Sequence, residues 1–402
     1  MKRSLISYSE AFQKVMGCIS SLSSEYCKIP GVAGRVVSED LFAKVDSPSV
    51  DGSLKDGYAV QSADVAAASY DNPVHLRLSG CIPAGGVWKG TVKPGTAVKI
   101  LSGAKIPKGA SAVVANEYAS DDGQVVTVVN TAEEGRNILK LGSDIKTGEL
   151  LVAKGRMLKP AAVGMLAAAG YTEVPLFKRP KVAIIATGDE VIAPGKQLLE
   201  GQLFASNIVT LAEWCNIFGM TCKTWVVRDD QELIRQRLQE VLREFDAVIT
   251  SGGAWTGERD LIIRIMDDLG WDKKFHRVRM GPGKAIGFGL FQSIPVFCLP
   301  GGPPSNLMAF LQLALPGLLT MCGYKEPGLT VVPARLGEPV RGQKDWTQFI
   351  HGTFIDDNAL PIFKPIQMTS RLQMLSRGEA IMAIPEGRDF IDAGEIIQVQ
   401  KL

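Results

Sequence analysis

The stretch Val182-Ala183-Ile184-Ile185-Ala186-Thr187-Gly188-Asp189-Glu190 decides the fold of this 402-residue chain. Its apolar run, bounded by a turn signal, reads as a strand buried on both faces, with Thr187-Gly188-Asp189-Glu190 as the exit at its carboxyl end. Thr224-Trp225-Val226-Val227 and Ala247-Val248-Ile249-Thr250 are further short apolar runs. Between them, Leu233, Ile234, Leu238, Val241, Leu242 and Phe245 share one helical face, and Glu and Arg fill the other. Strand alternating with helix predicts right-handed crossovers and a mostly parallel sheet covered on both sides, here over 179–325.

Outward from that domain the pattern changes twice. Ser7-x-x-Glu10 is a capping box, and Phe12, Val15, Met16, Ile19 and Leu22 follow at helical spacing. A second helix is expected from Pro160, through the alanine-rich Ala161 to Ala169, to a stop at Gly170, and it is expected to pack with the first. Residues 45–143 read as a β-rich insert: Val74, Leu76 and Leu78 alternate, and Asp121-Asp122-Gly123 precedes Val125-Val126-Thr127-Val128-Val129 like a hairpin turn. Beyond Pro327, short strands such as Ala380 to Ile384 and Glu395 to Val399 imply a small β domain.

Composition removes several function classes. Lys plus Arg is 44 and Asp plus Glu is 42, a net charge of +2, without the one-signed field of a general nucleic-acid binder. The basic stretch Lys273-Lys274-x-His276-Arg277-x-Arg279 lacks aromatic platforms and reads as a solvated strand face or pocket rim. The longest nearly apolar stretch, Leu307 to Leu319, contains Gln312 and Pro316 and is too short to span a bilayer, which needs ~20 residues. No signal-peptide core follows Lys2 and Arg3, so a cytoplasmic protein, with neither membrane nor nucleic acid as partner, is expected. Seven cysteines without Cys-x-x-Cys spacing, and three scattered histidines, make disulfides, zinc and a Ser-His-Asp triad poor readings. Carboxylates are left to carry the chemistry.

Those carboxylates gather at strand ends. One strand exits into Thr187-Gly188-Asp189-Glu190, another into Ser251-Gly252-Gly253 and on to Asp260, and a third into Leu299-Pro300-Gly301-Gly302-Pro303-Pro304-Ser305-Asn306. In an open parallel sheet the ligand crevice lies beyond such ends, where glycines let backbone amides approach a phosphate or oxyanion. Asp189, Glu190, Asp229, Asp230 and Asp260 would repel that anion unless a cation lies between, and Mg2+, held by one or two carboxylates plus substrate phosphate, fits best. For Asp229, Asp230 and Glu258, helix capping is an equal alternative. Lys284 could bind phosphate as a point charge or simply be solvated. Trp255 could stack on a ligand or merely close the pocket. Asp56 and Asp144, in Asp56-Gly57 and Ser143-Asp144, are by themselves turn formers.

Taken in order, Asp56-Gly57-Tyr58-Ala59-Val60, Thr187-Gly188-Asp189-Glu190, Ser251-Gly252-Gly253 through Asp260, Pro282-Gly283-Lys284 and Leu299-Pro300-Gly301 resemble the MoeA family of molybdopterin molybdenumtransferases, related to the E domain of gephyrin. The resemblance covers nearly the whole chain. It implies a homodimer that inserts molybdate into the dithiolene of adenylylated molybdopterin, with Mg2+-dependent loss of AMP; a molybdopterin adenylyltransferase would be a possible partner. It also implies a multidomain α/β fold: a discontinuous helical linker (1–44 and 144–178), the β-rich insert (45–143), a three-layer molybdopterin-binding α/β domain (179–325) and a barrel-like C-terminal β domain (326–402). Carried over by motif, Glu190 and Asp260 would be catalytic and hold metal. Asp56, Ser102 and Asp144 would reach the pocket from the insert of the partner subunit, Asp56 and Asp144 as catalytic residues. Thr187, Gly188, Asp189, Asp229, Ser251, Gly252, Gly253, Lys284, Pro300, Gly301, Pro303 and Ser305 would line the nucleotide pocket with Ser102.

Four positions depart from the family pattern. Leu139 stands where an arginine is usual, Gly281 where a lysine is usual, Pro300-Gly301-Gly302-Pro303 replaces Pro-Gly-Asn-Pro, and His351 stands where the C-terminal domain usually offers an arginine. Each lost charged hydrogen bond weakens an oxyanion pocket by ~1.5 to 3 kcal/mol. Lys140 and Arg136 are neighbouring cations, although alternation along a strand disfavours a one-residue swap. Leu139 and Gly281 motivate the alternative of a non-catalytic molybdopterin-binding or carrier paralogue.

Overall fold

A computed structural model describes residues 5–253, 261–357, 360–367 and 370–402. Its central sheet has six strands in the order Thr221–Val227, Lys181–Thr187, Ala247–Ser251, Ile294–Leu299, Gly287–Phe291 and Asp272–His276. The first four run parallel and the last two pair antiparallel. Strand residues sort by parity, as a pleated strand requires. Val182, Ile184, Ile249, Phe297 and Leu299 enter one hydrophobic cluster with the helix Ser206–Ile217 and the helical stretch 303–321. Ala183, Ile185, Val248, Val296 and Cys298 enter the other with the helices Gln231–Glu244 and Leu261–Leu269. A sheet with apolar side chains on both faces needs cover on both, hence the three layers.

The long apolar stretch at 307–319 is a buried helix of this domain, interrupted by a π turn at Phe310–Ala314. Pro316 has no N–H for the Gln312 carbonyl, and that oxygen instead faces the Tyr8 hydroxyl at 3.4 Å.

The first helix, Tyr8–Cys18, is capped as its sequence predicts, with Glu10 N–H donating to Ser7 Oγ at 3.0 Å. It ends before Leu22 and does not pack with the second helix, Pro160–Ala168. Its Ala11 and Val15 join the α/β cluster, whereas Leu166 joins Val37, Leu158, Val174 and Leu176 of the linker. An apolar stripe specifies that a face is buried, and leaves open what buries it.

The insert forms its own six-stranded sheet with two clusters, in which Tyr58 and Val60 face one way and Ala59 the other. No residue of the α/β domain belongs to either cluster. In the C-terminal region, strands Val331–Leu336, Ile362–Pro365, Thr347–Ile355, Ala380–Ile384 and Ile396–Lys401 pair in a closed ring. Strand Val278–Gly281 leaves the α/β domain to add in parallel to Thr347–Ile355, which carries the Pro282-Gly283-Lys284 turn to the seam with the barrel. Among the described residues no helix is long and apolar enough to cross a membrane. Two cations of the basic stretch at 273–279 are paired locally, Lys273 with Asp267 and Lys274 with Asp272, both at 2.6 Å.

Candidate functional site

The strand order reverses between Lys181–Thr187 and Ala247–Ser251, because the chain goes from the former to Thr221–Val227 on one side and then returns to the other. Beyond this switch point the exits of three adjacent strands meet. Ser251 pairs in register with Ala186 and Leu299, and Gly252 N–H donates to the Leu299 carbonyl at 3.1 Å. Gly252 has φ of 100°, and a Cβ there would lie 2.7 Å from the Thr187 carbonyl oxygen, so only glycine lets the two loops touch.

Two amide side chains brace the loops. Asn306, 1% exposed, donates through Nδ2 to Ser251 Oγ at 3.0 Å and to the Pro300 carbonyl at 2.8 Å. Asn207, in the first turn of Ser206–Ile217, donates to Ser251 Oγ at 3.2 Å and to the Gly301 carbonyl at 2.8 Å. Sequence reading missed both as site residues. Each is a polar residue at the start of a helix that follows a strand exit, and that placement was the available signal. Beside them the Thr187 hydroxyl is buried with no hydrogen-bond partner among the described residues. An unmade buried hydrogen bond costs ~1–3 kcal/mol, and a ligand oxygen would remove that cost.

Acidic groups rim this cradle. Glu190 is exposed and folds back over Gly188, its Oε2 2.7 Å from where a Cβ on that glycine would sit. Asp189 Oδ1 accepts from Asp229 N–H at 3.3 Å, which brings those two residues together. Asp230 takes the capping role, accepting from Leu233 N–H at 2.9 Å. Asp260, Trp255 and Glu258 lie outside the described residues. Among the described residues no three His, Cys, Asp or Glu groups converge to hold a metal ion. The donors available are hard carboxylate oxygens, and Mg2+ takes one or two of these and completes its shell with water and phosphate; that chemistry fits.

The cradle continues toward the barrel. Gly281, Pro282, Lys284, Pro300 and Ser305 line a cavity of about 420 Å3, where the Lys284 ammonium stands 5.2 Å from the centre of the Trp346 ring. Pro303 opens the helix Pro303–Ala309 in its first turn. An adjoining cavity of about 380 Å3 shares Pro282 and Ser305 and reaches Gly302, Arg371 and His351. His351 is 3% exposed with Nε2 unpartnered among the described residues, and burial pushes its imidazole down to about 4.

On the insert, Asp56 and Ser102 are joined: the Ser102 N–H donates to Asp56 Oδ1 at 2.6 Å, and both are exposed. Asp144 is exposed, and its N–H donates to the Ser47 carbonyl. Leu139 sits in a two-residue strand opposite Gly52. Lys140, beside it, pairs with Asp51 at 3.2 Å, so its charge already has a partner. The insert carboxylates stand on a body with its own core, apart from the glycine-loop cradle.

Fold and site together define a doubly wound α/β domain with an oxyanion cradle at its switch point, carried between a β-rich insert and a terminal barrel. Three family models match successive parts of the chain: the MoeA N-terminal region (domain I and II) over 6–170, the Probable molybdopterin binding domain over 183–320, and the MoeA C-terminal region (domain IV) over 333–402. The chain is 29% identical over 403 residues to the molybdopterin molybdenumtransferase of Staphylococcus aureus (strain COL), covering 99% of this chain and 96% of that one. It is 32% identical over 380 residues to molybdopterin molybdenumtransferase 2 of Mycobacterium tuberculosis (strain CDC 1551 / Oshkosh), covering 92% and 93%. A molybdopterin biosynthesis MoeA protein of Pyrococcus horikoshii superposes with a TM-score of 0.86 at 31% identity, covering 99% of both chains. The chain belongs to the MoeA family, and is with it a transferase of molybdenum cofactor biosynthesis.

Proposed function

We propose that the protein inserts molybdate into the dithiolene of adenylylated molybdopterin and releases AMP, in a Mg2+-dependent reaction. The observation that carries this reading is the braced cradle: two strand exits held together through Ser251, Asn207 and Asn306, with the Thr187 hydroxyl of the third left for a ligand. In the bound complex, backbone amides of Gly253 and Gly301 would face the diphosphate, and the Thr187 hydroxyl would donate a hydrogen bond to a phosphate oxygen. Lys284, Pro300, Pro303 and Ser305 would line the path from that diphosphate toward the barrel. Glu190, with Asp260, would hold Mg2+, which when bound supplies the positive charge that lets carboxylate and phosphate share one pocket.

The reading includes a homodimer in which Asp56, Ser102 and Asp144 of a second copy complete the pocket. Exposed apolar side chains support it: Leu54 and Leu141 on the insert, close in sequence to Asp56 and Asp144, and Leu198, Leu199, Leu203 and Phe204 beside the cradle. A cytoplasmic address and a molybdopterin adenylyltransferase as supplier of the adenylylated substrate follow from the same reading. The test is to supply adenylylated molybdopterin, molybdate and Mg2+ and to measure AMP; absence of AMP alongside a competent family member would refute it. A second reading, a pterin carrier without turnover, is favoured by one observation, the engagement of Lys140 with Asp51. Measured turnover excludes it.

A further inference from the structure

On the side of the sheet opposite the glycine loops, a cavity of about 1010 Å3 opens between the first helix, the linker, the α/β domain and the barrel. Arg179, just ahead of the strand Lys181–Thr187, and Gly219, just ahead of Thr221–Val227, both line it. They stand at the amino ends of the parallel strands, a full strand length from Thr187.

Among the described residues Arg179 is a partly buried cation without a counter-ion. No carboxylate pairs with it among the described residues, and its hydrogen bond is a long one to the Gly34 carbonyl, at 3.4 Å from Nη2. The neighbouring Arg35 is already paired with Glu25 at 2.6 Å and donates to the Phe177 carbonyl at 2.8 Å. Desolvation and the nearby Arg35 charge both push the Arg179 guanidinium below its ordinary value. The side chain is nonetheless held in place, since it packs directly on Gly219, at φ of 68°, where a Cβ would overlap Nη1. Around it the wall mixes neutral hydrogen-bonding groups, Tyr324, Asn216 and Gln400, with apolar Phe218 and Leu311. The single carboxylate in the lining, Glu326, is exposed.

A partly buried guanidinium fixed in a half-apolar cavity of small-molecule size, whose one lining carboxylate is exposed, is built to receive an anion with an organic body. We propose that this cavity is a second ligand site, for a small molecule that joins an apolar or aromatic body to a carboxylate, phosphate or sulfonate, with Arg179 as its counter-ion. The site shares no residue with the glycine-loop cradle and stands whether or not the reading of that cradle holds.

The probe is 8-anilinonaphthalene-1-sulfonate, titrated into the full chain and followed by fluorescence, with N-phenyl-1-naphthylamine as its uncharged counterpart. Saturable sulfonate binding is expected, weakened at least tenfold in Arg179→Gln, less in Arg179→Lys, while the uncharged compound binds wild type and Arg179→Gln alike. Should Arg179→Gln not fold, Asn216→Asp, which supplies a competing carboxylate inside the cavity, is expected to give the same loss. Equal sulfonate affinity in the wild type and these variants, or no saturable binding to the wild type, would overturn the proposal.

Discussion

Asn306 holds Ser251 Oγ at 3.0 Å and the Pro300 carbonyl at 2.8 Å with one side-chain nitrogen, and so ties two strand exits into a single rigid wall. Its replacement by leucine keeps the approximate volume and removes both bonds. Because the residue is buried, a destabilisation of ~1–3 kcal/mol is expected, together with at least tenfold weaker binding of the pterin nucleotide. Urea unfolding and equilibrium binding on the same preparation check both effects; full affinity in Asn306→Leu would remove the brace from the site.

Gly252 is the point of closest approach between those walls. Gly252→Ala adds strain at φ of 100° and a contact 2.7 Å from the Thr187 carbonyl oxygen, for an expected cost of about 1–3 kcal/mol and loss of nucleotide binding. Gly123→Ala is the matched control. Its φ is 94°, but it lies in an insert turn with open space around it, so it should lower the melting temperature and leave binding intact.

Much of this arrangement is legible in the sequence, for physical reasons that differ by element. The runs at 182–186, 224–227 and 247–250 each became strands because a doubly covered sheet demands continuous apolar residues. Hairpin and cap residues read correctly because their rules are local: Val126 pairs with Asp121 across Gly123, and Ser7 caps the first helix. What sequence did not convey is set by tertiary placement. The first helix found its partner at 315–321 rather than 160–168. Asn207 and Asn306 are ordinary helix-start residues until folding puts Ser251 between them. In the Asp229-Asp230 pair, folding makes Asp230 the helix cap and sets the Asp229 N–H against the Asp189 carboxylate.

If Asp56 of one copy serves the pocket of another, two inactive variants should rescue each other. Asp56→Asn and Glu190→Gln homodimers are each expected to lose most AMP release. Mixed by co-expression, they form hybrids with one intact pocket in each dimer, and about a quarter to a half of wild-type activity should return. No recovery in purified hybrids would place Asp56 outside the pocket of the neighbouring copy.

His351 gives the fold an acid-sensitive element. Burial lowers its value from the usual 6.5 to about 4, so between these limits the unfolded chain binds the proton and the folded chain does not. Stability from this residue is complete above pH 6.5 and is lost as pH falls toward 4, by on the order of 3 kcal/mol. Melting temperatures across that interval should fall more steeply for the wild type than for His351→Gln. Parallel curves would show that the imidazole is protonated at its ordinary value in the folded protein.

A carboxylate-rimmed cradle should accept an anionic nucleotide only when a divalent cation is taken up with it. The decisive measurement is a calorimetric titration of adenylylated molybdopterin into the protein, with and without Mg2+. Tight binding in the presence of Mg2+, weakened tenfold or more without it, and loss of that Mg2+ dependence in Glu190→Gln, are expected. Nucleotide affinity indifferent to Mg2+ in the wild type would show that no cation joins the carboxylates to the phosphates.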